Sequence, residues 1–213
     1  MAITNFDSWI EGGKYSLTMP NSAFTVVGVP NTNSGDSFLP VTVPVTAFVG
    51  SNIGKQLGGG IVVGEWDENG VKKALIASLT NVSTALSWST VTSTASGATS
   101  FSNGSTNTDT IIAQTTAPAA ATYAAGIARL FPDGGYSDWY LPAIWELNMC
   151  YNAAAIVNKV LGATAGFIAS SYYWSSTENN NVNAWGKDFS TGLQTNLSKT
   201  STNYVRAVRI HTL

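Results

Sequence analysis

The sequence predicts an α+β fold in which two helices pack on a small, strongly twisted antiparallel sheet, and three observations predict it. Apolar residues recur at helical spacing over residues 118–132 and again over 143–160, on either side of Gly134-Gly135. Upstream, Asn69-Gly70 separates two apolar runs, the strongest short-range signal for a hairpin. Beyond Ser170 the text changes to strand-like runs at 172–177, 184–190, 193–198 and 204–210, joined by polar connections.

The chain is organised around Gly134-Gly135-Tyr136-Ser137-Asp138-Trp139-Tyr140-Leu141-Pro142-Ala143-Ile144-Trp145-Glu146-Leu147-Asn148. The glycine pair ends one helix, Trp139 and Leu141 bury on one side of an extended link, and Pro142 presets the backbone for the next helix. Trp139, Leu141, Trp174, Trp185 and Val208 are expected in the core. Glu146, three residues after Ala143, supplies half a capping box. Ala143 has no side-chain oxygen to complete it, a deficit of about 1 kcal/mol.

Two regions follow from punctuation. Residues 1–55 hold four of the seven prolines, at 20, 30, 40 and 44, and read as an extended segment for attachment or oligomer contact. Phe6 and Trp9 are candidate anchors there. The run 39–45 alternates well, but its two prolines demote it to an edge strand or one that packs on a partner chain. Residues 56–213 form the main domain. Within it, 58–66 reads as a buried strand and 72–78 as its return, 81–107 as a long loop set anchored by Trp88 and Phe101, and Asn107-Thr108-Asp109 as the cap of a short helix through Gln114.

Composition excludes several functions. Charged residues make up 10% of the chain, against roughly 25% in ordinary domains, so Ser, Thr, Asn and Gln must form the polar surface. A net charge of -2 without a basic run argues against nucleic acid. The single cysteine, Cys150, lies in an apolar helical pattern and the single histidine, His211, three residues from the end. That reads as a buried thiol rather than a nucleophile. No metal-ligand cluster or cofactor motif stands out, and the Gly58-Gly59-Gly60 triplet precedes a strand instead of joining a strand to a helix, unlike a phosphate loop. Residues 1–7 lack the order of a secretory signal. That fits a virion component assembled inside a bacterium, or a chain trimmed of its leader.

Several ordered motifs carry a resemblance. Gly59-Gly60-Ile61-Val62 with its hairpin, Gly134-Gly135-Tyr136-Ser137-Asp138-Trp139-Tyr140-Leu141-Pro142, Tyr173-Trp174-Ser175-Ser176-Thr177-Glu178, Ala184-Trp185, Asp188-Phe189-Ser190 and Tyr204-Val205-Arg206-Ala207-Val208-Arg209 resemble the Lcl C-terminal domain family over residues 56–211. The resemblance implies a C-type-lectin-like fold in a bacterial surface or phage protein. The closing motifs are also similar to the variable proteins of diversity-generating retroelements, which implies a C-terminal face whose residues change with the ligand. The loops by which calcium-dependent lectins hold sugar, and the cysteine pair of the related formylglycine-generating enzymes, do not occur here.

The function expected is ligand or receptor binding on a phage or bacterial surface, without cofactor or metal, toward a protein or glycan receptor. The candidate contact residues are Tyr172, Tyr173, Glu178, Asn179, Asn180, Asn181, Asn183, Lys187, Gln194, Asn196, Lys199, Ser201 and Asn203. Tyrosine supplies rigid contact area, and Asn and Ser supply adaptable hydrogen bonds. Because alternate strand residues face opposite ways, a core Trp174 predicts an exposed Tyr173. Arg206 and Arg209, three apart on one strand, would face opposite sides and could not clamp one anion together. The alternatives are a structural fibre or adhesin subunit with no small-molecule chemistry, and an enzyme resembling the formylglycine-generating enzymes, for which the acid-base inventory is thin.

Overall fold

The computed structural model describes residues 51–115, 119–162 and 164–213, together with two short strands, β1 (Phe24–Val26) and β2 (Val41–Val43), which pair antiparallel with Phe24 opposite Val43. The chain divides into two units, Met1–Ser51 and Asn52–Leu213. The expectations for Phe6, Trp9 and the remainder of the 39–45 run lie outside the described residues.

The second unit is α+β and mostly β, built on two sheets where the sequence pointed to one. A four-stranded sheet has the order β11-β5-β4-β3, from β3 (Gln56–Leu57), β4 (Gly60–Glu68), β5 (Val71–Ala77) and β11 (Val208–Thr212). A five-stranded sheet has the order β6-β10-β7-β8-β9, from β6 (Ser83–Leu86), β7 (Tyr172–Glu178), β8 (Asn183–Asp188), β9 (Gln194–Ser198) and β10 (Asn203–Val205). All pairings in the unit are antiparallel except Tyr204 beside Tyr173, where β10 runs parallel to β7. The predicted hairpin is β4–β5. Asn69 and Gly70 take φ of 54° and 81°, the left-handed pair that a tight hairpin turn needs, and Asp67 Oδ1 accepts the Gly70 N–H at 2.7 Å.

The 204–210 run is not one strand. It leaves the five-stranded sheet after Val205 and enters the four-stranded sheet at Val208, so Arg206 and Ala207 form the step between them. Ser78 N–H donates to Ala207 O at 2.9 Å, and Tyr140 and Val208 exchange both backbone bonds at 2.9 Å, which fixes the step. The last strand thereby lies against β5, with Thr212 opposite Lys73, so the two ends of this unit meet in one sheet.

Among the described residues, three α-helices pack on the sheets: α1 (Gly104–Gln114), α2 (Ala124–Arg129) and α3 (Ile144–Leu161). Helix α1 starts earlier than predicted. Its cap is Asn103, whose side chain accepts Thr106 N–H at 3.0 Å, while Asn107 is buried and spends its amide on the Ser100 backbone. The 81–107 stretch is therefore not all loop, since it holds β6 and the first turn of α1. Helix α2 is shorter than the 118–132 pattern, because residues 119–123 are extended or turn.

Helix α3 matches its prediction and completes its cap from elsewhere. Glu146 Oε2 accepts Ala143 N–H at 2.7 Å, as half a capping box requires. The donors that Ala143 cannot serve are taken by other elements: Ile144 N–H by Thr177 Oγ1 at 3.0 Å and Trp145 N–H by Phe101 O at 3.0 Å. The Gly134–Asn148 stretch then alternates between two cores. Trp139 and Leu141 join Val62, Ile76, Trp88, Ile111, Trp174 and Val205. Tyr140 joins Ile61, Val63, Leu75, Ile144, Leu147, Cys150, Tyr173 and Val208. Since Val62 enters one cluster and Ile61 and Val63 the other, the four-stranded sheet is covered on both faces. Trp139, Leu141, Trp174 and Val208 are buried as predicted, whereas Trp185 is only half-buried.

The Glu146 carboxyl itself is fully enclosed. It accepts Tyr140 Oη at 2.8 Å as well as Ala143 N–H, and the Gly104 N–H also points to it, but burial outweighs these bonds and raises its pKa to about 7. A raised folded-state value means the folded protein holds the proton more tightly than the unfolded chain. The associated stability is complete below the ordinary value of 4.5 and is lost as pH rises through about 7. At 1.36 kcal/mol per pKa unit the difference is about 3 kcal/mol. Urea unfolding is expected to show most of that loss between pH 5 and pH 8, and Glu146→Gln is expected to flatten the profile in this window. An unchanged slope in the variant would place the titrating group elsewhere.

Candidate functional site

Three segments that are distant in sequence meet at one end of the five-stranded sheet: the loop 88–98, the β7–β8 turn 179–182 and the β9–β10 turn 199–202. Backbone bonds join them in pairs. Trp88 N–H donates to Lys199 O at 3.1 Å, Lys199 N–H to Val182 O at 2.9 Å, and Glu178 N–H to Ala98 O at 2.8 Å.

A buried ion pair lies beneath the junction. Lys199 Nζ meets Glu178 Oε1 at 2.5 Å, with side-chain exposures of 0% and 2%. The ammonium also donates to Thr94 O at 3.1 Å and Asn181 O at 3.0 Å, and stands 4.8 Å from the centre of the Trp88 ring. Each of its three protons thus has an acceptor, one in each adjoining loop and one on the carboxylate. Glu178 in turn accepts Ser96 N–H at 2.7 Å and Gly97 N–H at 2.9 Å. Burial opposes ionisation of Glu178, but Lys199 and these two N–H groups outweigh it and hold the carboxyl below its usual range. From α1, Gln114 Nε2 adds bonds to Thr94 O at 3.2 Å and Ala95 O at 2.9 Å.

What remains outside is neutral and polar. Ser93, Thr94, Asn179, Asn181, Thr200 and Ser201 are exposed, with Val182 among them at 44%. Asn180 is exposed too, but its Oδ1 accepts Val182 N–H at 3.0 Å and Asn183 N–H at 2.9 Å, so it shapes the turn.

The thirteen candidate residues divide. Asn179, Asn180, Asn181 and Ser201 belong to this end surface. Asn183, Gln194 and Asn196 lie on the sheet face toward β9, where Asn196 stands opposite the half-buried Trp185 and Asn183 opposite Ser198. Tyr172 is exposed, on the other face of β7 from Tyr173.

Glu178, Lys199, Lys187, Tyr173 and Asn203 are buried, and the picture of them as exposed contact groups is corrected. The first two form the ion pair. Lys187 Nζ donates to Gly192 O at 2.6 Å and stands 4.7 Å from the Tyr151 ring centre, and burial lowers its pKa. Trp174 and Tyr173 do face opposite ways, as alternation predicts, but Tyr173 is not exposed. Trp174 faces one core and Tyr173 the other, so neither side of β7 reaches solvent there. Tyr173 packs edge-on against Phe167 and at a tilt against Phe189 and Tyr204, donates to Asn81 Oδ1 at 3.1 Å and accepts Ile168 N–H at 2.9 Å. Asn203, at 9% exposure, has an Nδ2 without a partner among the described residues.

Asp138, in the organising stretch, is the partner of Arg209. Arg209 Nε and Nη2 grip its two oxygens at 2.6 and 2.9 Å, and this hydrogen bonding lowers the Asp138 pKa. Arg209 also lies 3.7 Å from the Tyr136 ring centre and donates to Gly58 O at 3.1 Å, locking the organising stretch to β11. The loops of residues 88–98 hold none of the thirteen candidates, yet the structure brings them beside the Asn-rich turns. The signal that could have joined them to the Asn-rich turns was the Glu178 and Lys199 pair in an otherwise charge-poor chain.

Among the described residues, no group of three or more His, Cys, Asp or Glu side chains could hold a metal ion, and no helix is long and apolar enough to cross a membrane. Residues 78–209 match the model of a family described as the Lcl C-terminal domain. A crystal structure of a fimbrial protein from Bacteroides ovatus ATCC 8483 is similar at 20% identity, with a TM-score of 0.45, over 64% of this chain and 35% of that one, so this chain spans about a third of its length. No curated protein matches the chain.

Proposed function

The chain belongs to the Lcl C-terminal domain family, and from that premise we propose that it is a binding module, with a C-type-lectin-like fold, that presents the three-loop end surface to a protein or glycan receptor at a bacterial or virion surface. The observation that carries this reading is the construction beneath the loops. A buried ion pair with every proton of its ammonium engaged fixes three segments whose outward side chains make few bonds within the fold. Rigid support under adaptable Asn, Ser and Thr is what a recognition surface requires, since order established beforehand lowers the entropy cost of binding. The same division into buried support and exposed display would suit a C-terminal face diversified by a retroelement. The role is recognition rather than catalysis, and it requires neither metal nor cofactor.

Asn179, Asn181 and Ser201 are the residues to change. They are exposed, and their side chains make no hydrogen bond among the described residues. Replacing all three by alanine is expected to abolish binding to receptor-bearing cells while the unfolding midpoint stays put, because such exposed changes usually alter stability by less than about 0.5 kcal/mol each. Retained binding would move the site to the face around Asn183, Gln194 and Asn196. Failure of the unaltered protein to bind any cell or glycan would favour a structural subunit.

A further inference from the structure

We propose that Arg206 holds one small monovalent anion, of halide size, inside the fold at the step between the two sheets. Arg206 is 0% exposed. One end of its guanidinium is fully used: Nη1 donates to Asn81 Oδ1 at 3.1 Å and Ala165 O at 2.9 Å, with Gly166 O at 3.4 Å, and the group stacks 4.5 Å from the Phe167 ring centre. The other edge, Nε and Nη2, meets no acceptor among the described residues.

That edge is the one by which an arginine grips a carboxylate with two parallel bonds. Three residues on, Arg209 uses it in that way on Asp138. No carboxylate pairs with Arg206 among the described residues. The titratable groups that act on it are Tyr173 from β7 and Cys150 from α3, and burial keeps both neutral, with the Cys150 thiol raised to about 12. Burial lowers the pKa of Arg206 itself only to about 10, so it stays charged at neutral pH.

A buried, uncompensated cation with unpaired donors is among the costliest arrangements a fold can hold. Water would satisfy the donors and leave the charge. A single monovalent anion satisfies both, and complete enclosure limits it to a species that fits without its hydration shell. This inference is independent of the receptor-binding reading.

The test combines crystals of the unaltered protein grown in bromide with thermal unfolding at constant ionic strength, titrating chloride against gluconate, which is too large to be enclosed. The expected results are an anomalous bromide peak within hydrogen-bond reach of Nε and Nη2, and a folding equilibrium constant that rises tenfold per tenfold chloride above saturation, as for a ligand held by the folded state alone. Arg206→Met is expected to remove the dependence. Should that variant not fold, the gluconate series is the reference. Density at Arg206 without anomalous signal, a chloride response no larger than that of the reference, or a bromide peak without a chloride response, which is binding at crystal concentration only, would each overturn the proposal.

Discussion

Replacing Lys199 by methionine is expected to destabilise the domain by ~3–5 kcal/mol at pH 7, the usual cost of removing one partner from a buried ion pair. The loss comes mainly from what stays behind. The Glu178 carboxyl would be left in a site of 2% side-chain exposure, with only the Ser96 and Gly97 N–H groups to stabilise its charge. Thr94 O and Asn181 O would also lose the donor that joins their loops. Adding Glu178→Gln should recover part of the loss, since a neutral amide does not need the cation. Hydrogen exchange gives a local reading: the Ser96 and Gly97 amides should exchange faster in the single variant. The pair also sets an acid dependence. Because the folded-state pKa of Glu178 is depressed, its contribution is present above the ordinary carboxylate value and is lost as pH falls through the folded value. That acid-side loss should vanish in the double variant. A Lys199→Met protein with unaltered stability would mean that the pair does not support the loops, and would remove the ground for the three-loop surface.

The sequence made some of this legible because the signals are local. Asn69-Gly70 can hardly be anything but a tight turn, and Pro142 with Glu146 three residues beyond Ala143 marks a helix start whatever surrounds it. The buried state of Trp139 and Leu141 followed from their size and spacing. The misreadings arose where a neighbour distant in sequence decides the outcome. Tyr173 was placed outside because one face of a strand usually meets solvent, yet here a second core around Phe167 and Phe189 covers that face. The 204–210 run has an unbroken strand pattern, and only its pairing with β5 on one side and β7 on the other divides it. Asn103 and Asn107 are both good caps by type, and packing of the Asn107 amide against Ser100 settles which one serves. For the candidate site, the Asn-rich turns were visible as exposed polar text. Lys199 and Glu178 were mistaken for contact groups because, in sequence, a charge marks a surface unless its partner can be seen.

Trp139→Ala is expected to cost ~3–5 kcal/mol, the range for truncating a large buried aromatic. With a whole-domain stability of about 5–15 kcal/mol, that is a large share of what keeps the chain folded. Three contributions are lost together. The indole is 0% exposed and packs edge-on against Phe131 at 5.4 Å between ring centres. Its Nε1–H donates to Asp133 O at 3.1 Å, closing the turn that carries Gly134, whose φ is 66° and whose backbone lies against Gly59. Its neighbours in the link, Asp138 and Tyr140, carry the ion pair with Arg209 and the hydroxyl bond donated to Glu146. A cavity at Trp139 would therefore loosen the connection between α2, α3 and the four-stranded sheet at once. Trp139→Phe separates the contributions, since it keeps a ring beside Phe131 but gives up the bond to Asp133, a net interaction of about 1 kcal/mol, along with part of the indole volume. Urea unfolding should rank the proteins wild type, Trp139→Phe, Trp139→Ala. An alanine variant that unfolds at the wild-type midpoint would show that the organising stretch is held by its ion pair and backbone bonds, and that the indole is not the anchor its burial implies.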